Sequence, residues 1–154
     1  MPSVDVQRIR PEQAHDLRRR ILRDGRAEAI VVQDNDDDPR SAHYGAFVDG
    51  RLTGVLSFDP DVPTPHRPGR RAGQFRAVAV DGDGQRRGVG RALMAEVVAE
   101  ARRLGMEVLW AKGRDSAWPF YERLGFQVVG EPFRTRATGL PHHIIVLDLD
   151  TAAH

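Results

Sequence analysis

The sequence predicts an α/β domain built on a mixed β-sheet. Two apolar segments flank Asp49-Gly50, a dipeptide that favours a two-residue hairpin turn. A segment with a 3.6-residue apolar period runs from about residue 87 to residue 104 between two short apolar segments, which is the pattern of a helix between two strands. The 154 residues show no repeat and no linker, so we expect one domain over residues 1–154.

The composition excludes several classes of protein. With 23 Lys and Arg against 22 Asp and Glu, the net charge is +1, whereas sequence-independent nucleic-acid binders show a clear basic excess. The absence of cysteine excludes disulfides, thiolate zinc sites and a cysteinyl acyl-enzyme. No apolar run reaches the roughly 18 residues that span a bilayer, and the first residues lack a secretory signal. We therefore expect a cytoplasmic protein that binds neither nucleic acid nor a membrane.

The first half of the chain predicts a strand, a helix and a hairpin. Residues 4–9 alternate apolar and polar side chains, as a half-buried strand does, and Pro11 opens a polar helix over residues 11–22. Residues 23–42 predict no element, and the acidic run at 34–39 predicts a solvated loop. Hairpin strands follow over residues 43–48 and 51–58, and four prolines mark residues 59–73 as a surface loop.

The second half is more regular. Residues 75–80 predict a strand, and the amphipathic helix begins at Gln85 or Arg87 and ends before Gly105, a residue typical of helix C-termini. A short strand over 107–111 follows, then a helix capped by Asp115 or Ser116 that reaches residue 124. Strands over 126–130 and 143–149 complete the sheet.

The heptapeptide Gln85-Arg86-Arg87-Gly88-Val89-Gly90-Arg91 is the most informative in the chain. Gly88 and Gly90 let a ligand approach the backbone, and the first amides of a helix lack partners within it. A diphosphate can bind there, with the three arginines donating further hydrogen bonds. A glycine-bearing turn into an ordinary helix is the alternative. The segment lacks the Gly-x-x-x-x-Gly-Lys-Ser/Thr sequence of a P-loop. It also lacks the Gly-x-Gly-x-x-Gly sequence of a dinucleotide site, since Gly88-Val89-Gly90 is followed by Arg-Ala-Leu.

This heptapeptide resembles the Gln/Arg-x-x-Gly-x-Gly/Ala signature of the GCN5-related N-acetyltransferase (GNAT) superfamily. The stretch Ala117-Trp118-Pro119-Phe120-Tyr121-Glu122-Arg123-Leu124-Gly125-Phe126 resembles the second motif of that family. The resemblance is strong over residues 74–130, the implied cofactor-binding core. It implies the acyl-CoA N-acyltransferase fold, with a central, mostly antiparallel sheet of about six or seven strands, splayed strands 4 and 5, and about four flanking helices.

The resemblance also implies a way of binding acetyl-CoA. The backbone of Val78 and Val80 would contact the pantetheine arm, and the diphosphate would rest on the segment Gln85, Arg86, Arg87, Gly88, Val89, Gly90 and Arg91. Backbone N–H groups would polarise the acetyl carbonyl. Tyr121 matches the tyrosine that protonates or stabilises the CoA thiolate, although a packed core aromatic is the alternative. Many members also carry an asparagine near the positions of Lys112 and Arg114, and this chain lacks it.

The acceptor side is less defined. The resemblance implies transfer to a primary amine of a small molecule or peptide by direct attack in a ternary complex. Strand ends near the implied acceptor pocket make His43 and His142 candidate substrate-binding residues, and side-chain alternation allows only one of His142 and His143 to face it. The histidines lack helical His-x-x-x-His spacing, so we expect no metal. A non-catalytic acyl-CoA-binding regulatory domain is the alternative function, and the resemblance allows a homodimer.

Overall fold

The structure is a computed structural model in which residues 3–22, 33, 35–85, 87–136 and 138–149 are described. In chain order the strands are β1 (Val4–Arg8), β2 (Ala42–Val48), β3 (Arg51–Asp59), β4 (Ala72–Val80), β5 (Val108–Arg114), β6 (Gln127–Arg134) and β7 (Pro141–Asp148). The α-helices are α1 (His15–Leu17), α2 (Gly82–Gln85), α3 (Val89–Arg103) and α4 (Trp118–Arg123).

Seven strands of the described residues form one mixed sheet in the order β1-β2-β3-β4-β5-β7-β6. β4 and β5 are parallel and pair at Ala72–Gln74 and Val108–Trp110, beyond which β4 continues to Val80 and β5 to Arg114. β1 with β2, β2 with β3, β5 with β7 and β6 with β7 are antiparallel pairs. The prediction of a mixed, mostly antiparallel sheet of six or seven strands is confirmed.

The number of helices is slightly lower than the four expected. α1 is one turn between a 3₁₀ turn at Pro11–Ala14 and a π-helical turn at Arg18–Leu22, and together they form the predicted first helix. α2 is a single turn before α3, so the described residues hold three separate helices. None of these helices is long and apolar enough to cross a membrane.

Contacts divide the chain into two compact units, the first made of Met1–Asp59 with Phe75–Glu100 and the second of Pro60–Gln74 with Ala101–His154. In the first unit, Asp49 and Gly50 have φ angles of 52° and 77°, and two successive positive φ angles are what a type I′ hairpin turn requires. The predicted hairpin of β2 and β3 is thus confirmed, with Tyr44 opposite Leu56.

The two faces of β3 carry different parts of the first unit. On one face, Val55 packs with Ala14, Leu17 and Ala79. On the other face, a Cβ atom added at Gly54 would lie 2.5 Å from Val89 Cγ1 and 3.1 Å from Leu93 Cδ1. Because position 54 has no side chain, α3 can begin directly against the strand.

In the second unit, β7 is the strand that the others share. It pairs with β5 from Val108 opposite Asp148 to Arg114 opposite His142, and with β6 on its other edge. Ala72, Val108, Trp110 and Val146 form the buried cluster, and the indole Nε1 of Trp110 donates a 2.8 Å hydrogen bond to the Val62 carbonyl. This bond attaches the proline-rich loop to the cluster.

Several strands are longer than their apolar runs, and one of them is β6, which ends at Arg134 and not at residue 130. β4 begins at Ala72, before the predicted residue 75, and β5 ends at Arg114, beyond the predicted residue 111. In both cases pairing with a neighbouring strand extends the element, since Ala72 lies opposite Val108 and Lys112 lies opposite Ile144. Tertiary pairing here overrides the local pattern of hydrophobicity.

Two local predictions are wrong. Asp36 is 4% exposed and binds the buried Arg18, so this residue of the acidic run is not solvated, while Asp34 lies outside the described residues. The second wrong prediction is the cap at Asp115 or Ser116. α4 follows a 3₁₀ turn at Asp115–Ala117, and neither the N-terminus of this turn nor that of α4 has a side-chain cap. The Asp115 carboxylate instead binds His143.

The close approach at Gly54 yields a prediction about stability. Gly54→Ala would force a methyl group into Val89 and Leu93, and overpacking of this kind costs about 1–3 kcal/mol. Gly82→Ala is the matched control, because a Cβ atom at Gly82 meets nothing within 4 Å. We expect urea unfolding to show a loss for Gly54→Ala and no loss for Gly82→Ala. Equal stabilities would mean that α3 does not depend on contact at position 54.

Candidate active site

The N-terminus of α3 follows Gly88, a residue that has no side chain to cap the helix. The N–H of Ala92 donates to the Gly88 carbonyl at 3.0 Å, so the amides of Val89, Gly90 and Arg91 precede the hydrogen-bond ladder of the helix. The residue before the helix is Gly88, which has no side chain and a φ of 75°. Amides that precede the ladder, at the positive end of a helix dipole, can bind an anion.

The predicted diphosphate-binding residues differ in their placement. The Gln85 side chain donates to the Val80 carbonyl at 2.8 Å and closes the turn between β4 and α3, while Val89 is buried against β3. Arg87 and Arg91 are exposed, and Arg86 lies outside the described residues. Arg87 lines a small open cavity of about 170 Å³ together with Val48, Asp49, Arg51 and Thr53.

The loop that joins β4 to α3 is held on β3. The Asp81 amide donates to the Thr53 carbonyl at 3.0 Å, and the Asp81 carboxylate accepts the Gly84 amide at 2.9 Å. Since Thr53 adjoins Gly54, the same part of β3 positions the loop and the start of the helix. A Cβ atom at Gly84 would lie 2.9 Å from Val80 Cγ1 and 3.1 Å from the Thr53 carbonyl oxygen, so glycine lets the loop approach β3 closely.

One residue of β4 has a backbone conformation that is unusual for a strand. Ala77, which precedes the predicted pantetheine-binding Val78, has a φ of 55°. A non-glycine residue in this left-handed region costs about 1–3 kcal/mol and persists only where its surroundings enforce it. Residue 77 itself gave no signal for this feature, because alanine is ordinary in both strands and helices, whereas the family resemblance implies a bulge within the strand of residues 75–80.

A network of buried charges lies beside this residue in the first unit. The Arg76 guanidinium donates to Asp59 through Nε at 2.7 Å and Nη2 at 3.2 Å, and to Asp36 through Nη1 at 2.9 Å. Arg18 donates to the same Asp36 carboxylate at 2.7 and 3.1 Å. Two arginines therefore meet two aspartates out of water. A lone arginine within the apolar run of residues 75–80 was the signal that could have revealed it.

The network changes the acid strength of Asp36. Burial by itself would raise the pKa of this carboxyl, but hydrogen bonds from Arg18, the Gln33 amide and Arg76 outweigh burial. They hold the pKa of Asp36 well below its ordinary value. The ionised form is thereby stabilised, which ties the turn at residues 35–38 to β4 and to the first helix.

His43, a predicted substrate-binding residue, lies within this network. Its Nε2 is 3.1 Å from the Asp36 carbonyl oxygen, which can only accept, so Nε2 carries the proton. Its Nδ1 is 2.7 Å from the Ser57 hydroxyl, which also accepts from Arg18 Nη2 at 3.1 Å. Burial lowers the pKa of His43 despite the attraction of Asp36. Both nitrogens are thus engaged in a neutral, buried imidazole, and its role toward a substrate stays a prediction.

Tyr121 lies in α4 of the second unit, where it is buried. Its ring makes edge contacts with Phe120 and Phe126, with centroids 5.1 and 5.6 Å apart. Burial raises the pKa of Tyr121 to about 12, although the Arg114 guanidinium acts in the opposite direction. The phenol therefore stays protonated at neutral pH and can donate a hydrogen bond. Arg114, at one of the positions where the expected asparagine is missing, thus has an electrostatic effect on this phenol.

The histidines of β7 differ in their environments. His142 is buried, its Nδ1 lies 2.8 Å from the Leu140 carbonyl oxygen, and its ring stacks on Phe133. His143 is partly exposed, and its Nδ1 lies 2.8 Å from the Asp115 carboxylate. A carboxylate bound to one ring nitrogen orients the imidazole, so that the other nitrogen points away from the carboxylate. Within the ranges that the structure describes, no three His, Asp or Glu side chains are grouped as metal ligands would be.

Comparison with known proteins decides the family of this fold. A model of the GNAT acetyltransferase family matches residues 8–126. The chain belongs to the GNAT acetyltransferase family. Proteins with this fold bind acyl-CoA and transfer the acyl group to amines. In this GNAT chain, α3 follows the central strand β4, and the Val89, Gly90 and Arg91 amides lie at its start.

Relatives of this GNAT chain cover it almost completely. The uncharacterized N-acetyltransferase YitI of Bacillus subtilis is 27% identical over 93% of this chain and 94% of its own. An aminoglycoside 6'-N-acetyltransferase solved in complex with coenzyme A has a TM-score of 0.72 at 12% identity, over 94% of this chain and 97% of its own. The ribosomal-protein-S18-alanine N-acetyltransferase of Escherichia coli has a TM-score of 0.69 at 19% identity, over 96% and 94%. The two solved structures share the fold.

The buried charges predict a dependence of stability on pH. Because the folded pKa of Asp36 lies below its unfolded value of 3.8, the carboxylate stabilises the fold at higher pH, and this contribution is lost as the pH falls below about 3.8. Asp36→Asn leaves Arg18 and Arg76 without this counter-charge, so we expect a loss of about 3–5 kcal/mol at pH 7. The loss should shrink in acid. Urea unfolding at pH 7 and pH 3 measures both effects.

Asp16→Asn provides the matched control for this prediction. Asp16 forms an exposed ion pair with Arg20 at 2.9 Å, and such pairs contribute about 0.3–0.5 kcal/mol. If Asp36→Asn and Asp16→Asn were equally stable at pH 7, the buried charges would not hold the turn at residues 35–38.

Proposed function

We propose that this GNAT chain transfers acetyl from acetyl-CoA to the primary amine of a small molecule or peptide, by direct attack within a ternary complex. The observation that carries the proposal is the position of the Val89, Gly90 and Arg91 amides, which precede the hydrogen-bond ladder of α3 and follow Gly88, a residue without a side chain. Three N–H groups with a helix dipole fit the diphosphate of coenzyme A. The coenzyme A complex of a protein with the same fold supports this donor.

The exposed Arg87 and Arg91 add charge to this proposed diphosphate site. A guanidinium forms strong, charge-assisted hydrogen bonds to phosphate oxygens. From there, the pantetheine arm would run along β4 and bind the backbone of Val78 and Val80. The left-handed Ala77 interrupts the regular alternation of amides in that strand, so that an amide near it can point at the acyl carbonyl. Polarisation by a fixed N–H stabilises the oxyanion that forms when the amine attacks.

The proposed role of Tyr121 follows from its acidity. When the amine nitrogen attacks the thioester carbon, the C–S bond breaks and the CoA thiolate leaves. A phenol with a pKa of about 12 is a weaker acid than an alkyl thiol, whose ordinary value is about 8.5. Full proton transfer from Tyr121 to the thiolate is therefore unfavourable. We assign to Tyr121 a hydrogen bond that stabilises the thiolate. The attacking nitrogen releases one proton to water and the thiolate takes one proton from water, so the products are the acetylated amine and free coenzyme A.

The first test measures donor binding. Gly88→Asp adds a negative charge in front of the first amides of α3, and aspartate tolerates a left-handed φ better than most residues. We expect acetyl-CoA to raise the melting temperature of the wild type, because a ligand that binds the folded state stabilises it, and to lose this effect in Gly88→Asp. The readout is the melting temperature with and without acetyl-CoA.

Gly69→Asp is the matched control for Gly88→Asp. Both glycines have a φ of 75°, and a Cβ atom at either meets nothing within 4 Å, so the two variants share their backbone cost and charge change. Acetyl-CoA should stabilise Gly69→Asp as it does the wild type. A wild type that acetyl-CoA does not stabilise would contradict the proposed donor.

The second test separates an enzyme from a non-catalytic acyl-CoA-binding domain. Tyr121→Phe keeps the packing on Phe120 and Phe126 and removes the hydroxyl. We expect kcat to fall about 100-fold or more, in the range for loss of one hydrogen-bond donor to a developing negative charge, with unchanged affinity for coenzyme A. The measurement is release of free thiol from acetyl-CoA across a panel of primary amines. If the wild type bound acetyl-CoA but acetylated none of these amines, the regulatory-domain alternative would be favoured.

A further inference from the structure

The side chains of β3 show which face of the sheet holds the buried charges. Gly54 faces α3, where the hypothetical Cβ meets Val89. The alternate positions Val55, Ser57 and Asp59 face the other way. Val55 packs with Leu17, and Ser57 binds Arg18. Side chains that are two residues apart in a strand share a face. The face of Val55, Ser57 and Asp59 is called the network face below.

Two residues of β4 contact this network face, although they are three positions apart. Arg76 binds Asp59 through two hydrogen bonds, and Ala79 packs with Val55. In a regular strand, residues separated by three positions point to opposite faces. β4 must therefore contain one extra residue between them, and the left-handed Ala77 is that residue. The segment Arg76–Val78 is called the Ala77 bulge below.

The two contacts explain why the bulge persists. Ala79 is held by the apolar cluster of Ala14, Leu17 and Val55, while Arg76 is held by Asp59, Asp36 and the Gln33 side chain at 2.8 Å. If either contact were released, β4 could relax into a regular strand by turning one of the two residues to the other face. Of the two, Arg76 directly precedes Ala77, and its planar guanidinium is fixed by two carboxylates.

We propose that Arg76 is a positioning residue, whose hydrogen bonds to Asp59 and Asp36 hold the Ala77 bulge and thereby aim a backbone amide at the acyl carbonyl of the donor. This inference rests on the proposed binding of acyl-CoA along β4. It adds a role for the charged network: to keep the strand next to the acyl group in a conformation that alanine does not favour. The network thus acts on the reaction through the backbone.

The test uses variants that weaken the hold of Arg76 without removing its charge. Arg76→Lys keeps the charge but loses the two-point contact to Asp59. Asp59→Asn weakens the same contact from the other side. Arg18→Lys is the matched control, because Arg18 is buried in the same network and binds the same Asp36 carboxylate, but it does not lie on β4. Thermal unfolding of each variant identifies effects that are due to stability alone.

The first measurement needs no ligand. Backbone chemical shifts and the HN–Hα coupling of Ala77, from nuclear magnetic resonance of the labelled protein, report its φ angle. We expect a left-handed Ala77 in the wild type and in Arg18→Lys, and a shift toward extended values in Arg76→Lys and Asp59→Asn. An unchanged Ala77 in both β4-contact variants would overturn the proposal.

The second measurement follows the acyl group itself. In the wild type, bound acetyl-CoA labelled with ¹³C at the carbonyl should show a C=O stretch at lower frequency than in water, because a hydrogen bond polarises the carbonyl. We expect Arg76→Lys to lose most of this shift while coenzyme A still raises its melting temperature, and Arg18→Lys to keep it. A frequency unchanged by Arg76→Lys, despite an altered Ala77, would show that the bulge does not serve the acyl group.

A second substitution provides a rescue. Ala77→Gly, combined with Arg76→Lys, allows the left-handed conformation without the steric cost of a Cβ atom. If Arg76 acts through the bulge, the double variant should recover the carbonyl shift, whereas failure to recover would mean that Arg76 acts in another way.

If neither coenzyme A nor acetyl-CoA stabilised the wild type, both the proposed donor and the proposed orientation of the amide would be wrong. The ligand-free measurement would still decide whether Arg76 holds the bulge.

Discussion

The carboxylate of Asp36 lies between two guanidinium groups in the interior of the first unit, and much of that unit depends on this arrangement. Arg18 reaches it from the first helix and Arg76 from β4, while the Asp36 carbonyl accepts from His43 on β2. Removal of one charge reduces the compensation of the charges that remain out of water, which is costly. Helix, turn and two strands are thereby held in one relative position, on the face of β3 opposite α3.

The other face of β3 serves a different purpose. The absence of a side chain at Gly54 lets α3 begin against the strand, and the Thr53 carbonyl accepts the Asp81 amide of the loop before the helix. The amides of Val89 to Arg91 are consequently placed by main-chain geometry and close packing. One strand thus carries a charged network on one side and the proposed anion site on the other. β4 contributes Arg76 to the network and leads into the proposed site.

The sequence predicted those parts of the fold that are encoded locally. The dipeptide Asp49-Gly50, the period of α3 and the glycines before that helix each act over a few residues, and the family resemblance rested on the same stretch. What could not be predicted depends on residues far apart in the chain. Arg76 reads as an anomaly in an apolar strand until Asp36 and Asp59 are seen around it, and the acidic run looks solvated until Arg18 reaches it. For the same reason His43, selected as a strand-end residue, proved to be bound within the protein.

Gly88 has one further consequence for how this protein exists in a cell. A helix that begins without a capping side chain lacks an interaction that most helices possess, and in the proposed complex the diphosphate of the donor takes that place. The folded chain is then completed by its own cosubstrate. Since a ligand stabilises a fold in proportion to the logarithm of its concentration, resistance to unfolding and proteolysis would follow the supply of acyl-CoA. The abundance of the protein would thereby report the metabolic state that provides its donor.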